Sequence, residues 1–119
     1  MKRILITVLV ALLLVGCGQT VSENINFDAE LKTLEQQTLS FATGTGDIKY
    51  FRGVIEDFND KLSKIDSDDN RVMEYVELQR KANDLRLEGF SKMDSDKINA
   101  STAYQAEALE IYYEIKDAN

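Results

Sequence analysis

Two groups of residues in this chain have types and spacings that could do chemistry. The first is Leu14-Val15-Gly16-Cys17, where the one cysteine closes an apolar run. The second is Asp66, Asp68, Asn70, Val72, Glu74 and Glu77, which follow the ligand positions of a calcium-loop template. That template needs Gly at its sixth position for a sharp turn, and Arg71 stands there. The Arg71 charge would lie where the cation belongs. The apolar spacing from Val72 onward also reads as helix, which would carry Glu77 away from Asp66, Asp68 and Asn70. These acids are therefore expected to form an N-cap and first helical turn, with no metal bound. A second copy starting at Asp94 fails the template outright, because Gln105 stands at its last position.

The cysteine has a context. Lys2 and Arg3 precede Ile4–Val15, a run that is apolar except for Thr7. A positive start, an apolar core and a small residue at its end make an export signal. The run is shorter than the roughly 17–25 residues that a membrane-spanning helix needs. Leu14, Gly16 and Cys17 together resemble the lipobox of a bacterial lipoprotein signal peptide, a likeness confined to about the first 17 residues. The resemblance implies that the Cys17 thiol is alkylated with diacylglycerol and that cleavage falls between Gly16 and Cys17. Cys17 would then be the mature N-terminus, often acylated on its amine as well. One fatty chain anchors marginally and two or more hold firmly, at about 0.8 kcal/mol per buried methylene. The expected location is extracytoplasmic, on the bacterial cell membrane. In a Gram-negative cell Gly18, where an Asp would retain the protein at the inner membrane, would permit transfer to the outer one.

Composition narrows the chemistry. Loss of residues 1–16 removes two of the 14 basic residues and none of the 21 acidic ones, moving the net charge from −7 to −9. Such a body has no basic patch for phosphate, so nucleic acid is not an expected partner. It is also unsuited to docking its surface on anionic lipid. There is no histidine, which excludes His–Cys zinc sites and His-based triads. With Cys17 lipidated, no disulfide can form. No pattern asks for a cofactor.

The elements that would carry these residues read as helices nearly throughout, and the absence of proline lets them run long. After a leader at 1–16 and a polar lipidated tether at 17–25, a single domain is expected over 26–119. The first helix should run from about Asn26, as N-cap, to Thr43, with Leu31, Leu34 and Phe41 on its apolar face and Gly44 as a left-handed stop. The turn Thr43–Asp47 has glycines but no preceding strand and no P-loop lysine, so it reads as a helix–helix turn capped by Asp47. The second helix, about Ile48–Ile65, carries a 3.5-residue seam of Ile48, Phe51, Ile55, Phe58, Leu62 and Ile65. Its Gly53 is expected to let a neighbouring helix approach. The third, about Asp69–Glu88, is expected to bury Val72, Tyr75, Leu78, Ala82 and Leu85, with Met73 and Val76 beside them. Gly89 would stop it, and Phe90 would pack back on Leu85 in a Schellman motif. The fourth, about Asp96–Lys116, should bury Ile98, Ala103, Ala106, Leu109 and Tyr112, with Tyr104, Ala108, Ile111 and Ile115 alongside.

Four amphipathic helices joined by short turns predict an all-α, up-and-down antiparallel bundle; a short solenoid of two stacked hairpins is the alternative. Ser63–Asp68 recurs as Ser91–Asp96, which reads as one cap chemistry used twice. Tyr75, Tyr104 and Tyr112 are expected in the core or at its boundary, and Tyr113 outside. Glu74 with Arg71, and Glu77 with Arg80 or Lys81, read as surface ion pairs. Carboxylate pairs such as Glu56/Asp60 and Glu110/Glu114 lie one turn apart on one helix, with no cleft between them of the kind a glycosidase needs.

No catalytic arrangement emerges. In size and layout the body is diffusely similar to small helical lipoproteins of Gram-positive bacteria, their phages and plasmids, which include surface-exclusion and immunity factors. The expectation is a non-enzymatic binding role at the cell surface, toward an unspecified protein partner, with the membrane engaged through the lipid. A structural or assembly role in the envelope is the alternative. Leaders of some lipoproteins also signal as pheromones, and Val8–Gly16 is apolar enough to do so.

Overall fold

The computed structural model describes residues 25–118. Cys17, Gly16 and the rest of the leader and tether up to residue 24 lie outside the described residues. The chain forms four helices: α1 (Asp28–Ala42), α2 (Ile48–Ser63), α3 (Asn70–Lys92) and α4 (Ser95–Ala118). They form one antiparallel up-and-down bundle around a shared core, not two stacked hairpins. At one end the start of α1, the end of α2, the start of α3 and the end of α4 meet through Phe27, Phe58, Tyr75 and Tyr112. Their ring centroids lie 5.1–6.2 Å apart. At the other end Phe41, Phe51 and Phe90 meet at 4.7–5.7 Å, with Phe41 stacked flat on Phe90. Ile25 is buried in the core, so the packed domain begins inside the stretch read from sequence as tether.

The caps explain where helices start and stop. The Asp47 carboxylate accepts from Lys49 N and Tyr50 N, and Asp69 accepts from Arg71 N. Both relieve backbone donors that the first turn leaves unpaired. Gly44 adopts φ 82°, the left-handed stop expected after α1. Asn26 is not the N-cap of α1. Phe27 occupies that position, and the Asn26 side chain accepts from Asp28 N at 3.2 Å, one residue early.

Gly89 does not end α3. The helix continues to Lys92 and stops at Met93, which itself takes the left-handed conformation at φ 53°. Gly89 serves the approach of α4 instead: a methyl group there would lie 2.8 Å from Ile98 Cγ1 and 2.9 Å from its backbone N. Phe90 is accordingly placed against Phe41 and Phe51 by a helix that has not yet ended. Gly53 has open space around its Cβ position and lies on the exposed face of α2, so no helix approaches there.

The repeated hexapeptide folds in two ways. In its second copy Asp94 caps α4, accepting from Asp96 N and Lys97 N. In the first copy the equivalent Asp66 makes no such bond, and α3 is capped by Asp69, beyond the repeat. Arg71 pairs with Asp69 at 3.4 Å, not with Glu74.

Polar contacts tie the last helix to the first. The Tyr112 hydroxyl accepts from Phe27 N at 2.8 Å and donates to Asp28 Oδ1 at 2.7 Å, while Lys116 Nζ lies 2.8 Å from Asp28 Oδ2. Hydrogen bonds from Lys116 and Tyr112 hold the Asp28 carboxyl below its ordinary value of 3.8. Its contribution is complete above that ordinary value and is lost as pH falls through the lower folded-state value. Asp28→Asn should therefore flatten the acid limb of a stability-versus-pH curve, read by urea denaturation at several pH values between neutrality and pH 3.

Gly89→Ala should destabilise the bundle by about 1–3 kcal/mol through overpacking against Ile98. Gly53→Ala, in open space, should stabilise it by about 0.5–1 kcal/mol. Denaturant titration followed by far-UV circular dichroism checks both.

Candidate functional site

The spacing that builds the site is hidden in α3. Its buried positions are Val72, Tyr75, Val76, Gln79, Ala82, Asn83, Arg86 and Gly89. They run at steps of three and four without a break, but three of the side chains are polar. The apolar residues Leu78 and Leu85, expected in the core, are only half-buried, and Met73 is exposed. The same substitution occurs in α4. Ser101 is buried and Gln105 half-buried on the inner face, while Ala103 and Ala106 face solvent.

These side chains form a polar belt across the waist of the bundle, between the two aromatic clusters. Gln79 and Gln105 join α3 to α4 by a reciprocal amide pair, each Nε2 donating to the other's Oε1 at 2.8 Å. Gln79 Nε2 also donates to Asn83 Oδ1, and Asn83 Nδ2 donates to Asn59 Oδ1 on α2 at 3.0 Å. Asn59 in turn donates to Asp84 at 2.9 Å. Buried amides must be satisfied or they cost about 1–3 kcal/mol each, and these are.

Among the described residues the Tyr75 hydroxyl is the one buried side-chain polar atom without a partner. Arg86 differs from the amides in carrying a charge. The residue is 7% exposed, and its one side-chain hydrogen bond among the described residues is from Nη1 to Gln105 Oε1 at 3.2 Å. A guanidinium has five donors. No carboxylate of the described residues forms an ion pair with it, and burial pushes its pKa down to about 10. At neutral pH this is a charged group inside the protein with an amide oxygen as its partner.

Arg86 forms part of the floor of a groove of about 610 Å³ between α1 and α4. Those two helices are joined mainly near Asp28 and otherwise stand apart. From α1 the groove takes Leu31, Leu34, Thr38 and Leu39; from α4 it takes Thr102, Gln105, Leu109 and Tyr113. Asp28, Lys32 and Glu35 edge it. Leu39 and Tyr113, 61% and 56% exposed, are large apolar residues left in solvent at its margins. The arrangement offers one fixed positive charge in an apolar trough.

The residues singled out by sequence lie elsewhere. Asp66 and Asp68 are exposed in the α2–α3 turn, Asn70 is the first residue of α3, and Glu77 lies seven residues further along that helix. The helix separates Glu77 from the turn, and no cluster of three or more acidic, His or Cys side chains among the described residues could hold a metal ion. Glu56, Asp60, Glu110 and Glu114 are all exposed on outer helix faces. Tyr75 and Tyr112 are fully buried, and Tyr104 is half-buried beneath Lys81 Nζ at 4.7 Å. Sequence reasoning missed Gln79, Asn83, Arg86 and Gln105. The signal that could have found the first three was the unbroken step of three and four from Val72 to Gly89 in α3, read without regard to polarity; Gln105, on α4, lies outside it.

Arg86→Met should leave the fold intact and raise its stability or leave it unchanged, because a buried charge lacking a counter-ion is replaced by an apolar chain of similar length. Gln105 Oε1 keeps its bond from Gln79. Thermal unfolding followed at 222 nm checks this, and a loss of more than about 2 kcal/mol would show that the guanidinium is structural.

No family model matches this chain, and no curated protein or solved structure is detectably similar to it. Its function rests on the chemistry of the site.

Proposed function

We propose that this is a lipid-anchored extracytoplasmic protein with a non-enzymatic binding role, held by diacylglycerol on Cys17 and receiving its ligand in the groove between α1 and α4. The observation that carries the binding role is Arg86, a buried cation without a carboxylate partner on the floor of an open apolar groove. A hydrophobic residue of similar size would fold at least as well at this position, so the charge is better accounted for by binding than by stability. The anchoring half of the reading is supported by the positive, apolar and small-residue order of the leader and by Cys17 at its end. Among the described residues no helix is long and apolar enough to cross a membrane. Asp28, at the edge of the groove, is committed to Lys116 and Tyr112.

Mass spectrometry of the native product should show Cys17 carrying diacylglycerol, and Cys17→Ser should release the protein from the membrane fraction or leave it as uncleaved precursor. An unmodified thiol, or normal processing and fractionation of the variant, would overturn the anchor.

A further inference from the structure

Taking the groove as the binding site and Cys17 as the anchor, we infer that the ligand is a fatty carboxylate: a single anionic head held by Arg86 on an unbranched apolar chain laid between α1 and α4. The head follows from charge. Arg86 has donors to spare and one neutral partner, and a carboxylate is the group that a guanidinium fork matches best. The rim adds no net positive charge for a polyanion: Lys32 and Glu35 offset each other in sign, and Asp28 is paired with Lys116.

The tail follows from shape. Arg86 meets Gln105 toward one end of the trough, and Leu31, Leu34, Leu109 and Tyr113 continue from there toward the Asp28 end. From Gln105, beside Arg86, to Tyr113 the wall is eight residues of helix, about 12 Å at 1.5 Å per residue, which fits a chain of about ten carbons. The source follows from position. Ile25 is eight residues from Cys17, a stretch that spans at most about 29 Å. The Asp28 end of the groove therefore stays near the bilayer, where free fatty carboxylates partition.

The test uses the native lipoprotein in phosphatidylcholine nanodiscs. Its thermal midpoint is followed at 222 nm with dodecanoate, decanoate, dodecanol or acetate, each variant being compared with its own ligand-free state. A ligand that binds the folded state raises the midpoint by mass action. Dodecanoate should raise it, and decanoate, which already spans the wall from Arg86, should act comparably. Dodecanol lacks the charge and should act about ten- to a hundredfold more weakly, and acetate lacks the chain and should not act. Arg86→Met should weaken dodecanoate by about ten- to a hundredfold, and Arg86→Lys should recover part of that. An equal response to dodecanol, or an undiminished one in Arg86→Met, would overturn the inference. A photo-crosslinker at Leu39 separates the two levels. If dodecanoate does nothing while the crosslinker captures another molecule in cells, the ligand class is wrong and the groove survives as a site. If neither responds, the binding role fails with it.

Discussion

The polar belt at the waist of the bundle is the constraint on which the rest of the structure depends. Gln79, Asn83, Gln105 and Asn59 are buried or half-buried amides from three helices, and each finds its partner in one register only. Sliding α3 past α4 by one turn would cost little in a uniformly apolar seam. Here it would strand several amides in a low-dielectric interior, where an unpaired polar group is costly. The belt thus fixes which turns of α2, α3 and α4 face one another. The aromatic clusters above and below it then pack in the positions that this register leaves them.

The two ends are finished differently. At the Phe41–Phe51–Phe90 end, closeness is set by backbone: Gly89 lets the start of α4 come within contact of α3, and Asp94 caps that start. At the Phe27 end, closeness is set by polar groups, with Asp28 shared between Tyr112 and Lys116. Between these ends α1 has no amide in the belt. It is held by Leu34, its terminal aromatics, the Asp28 contacts and the Lys61–Glu30 bridge to α2. The gap between α1 and α4 is the consequence, and it is into this gap that Arg86 faces.

Charge follows the same division. Several surface acids are paired within a turn, as Asp60 with Lys64 and Glu88 with Lys92, and such exposed pairs contribute little; Glu30 with Lys61 and Asp28 with Lys116 pair between helices. The cation that matters is the one taken out of water. Its burial without a counter-ion opposes folding, and the satisfied amides around it keep the local structure from rearranging to relieve it.

The sequence by itself determined the four helices, their turns and the antiparallel bundle, because apolar residues at steps of three and four and good caps such as Asp47 act over a few neighbouring residues. The α2 seam of Phe51, Ile55, Phe58 and Leu62 was readable for that reason. It also determined Cys17 as the candidate for lipidation, a reading that rests on the linear motif alone. The tertiary structure decided which face of α3 and α4 turns inward. Leu78 and Leu85 offer apolar area, but Gln79, Asn83 and Arg86 lie on the side where α2 and α4 supply partners, and hydrogen bonds across three helices cannot be read from one of them. It also decided that Gly89 is a contact and not a stop, because that depends on where Ile98 arrives from outside the helix.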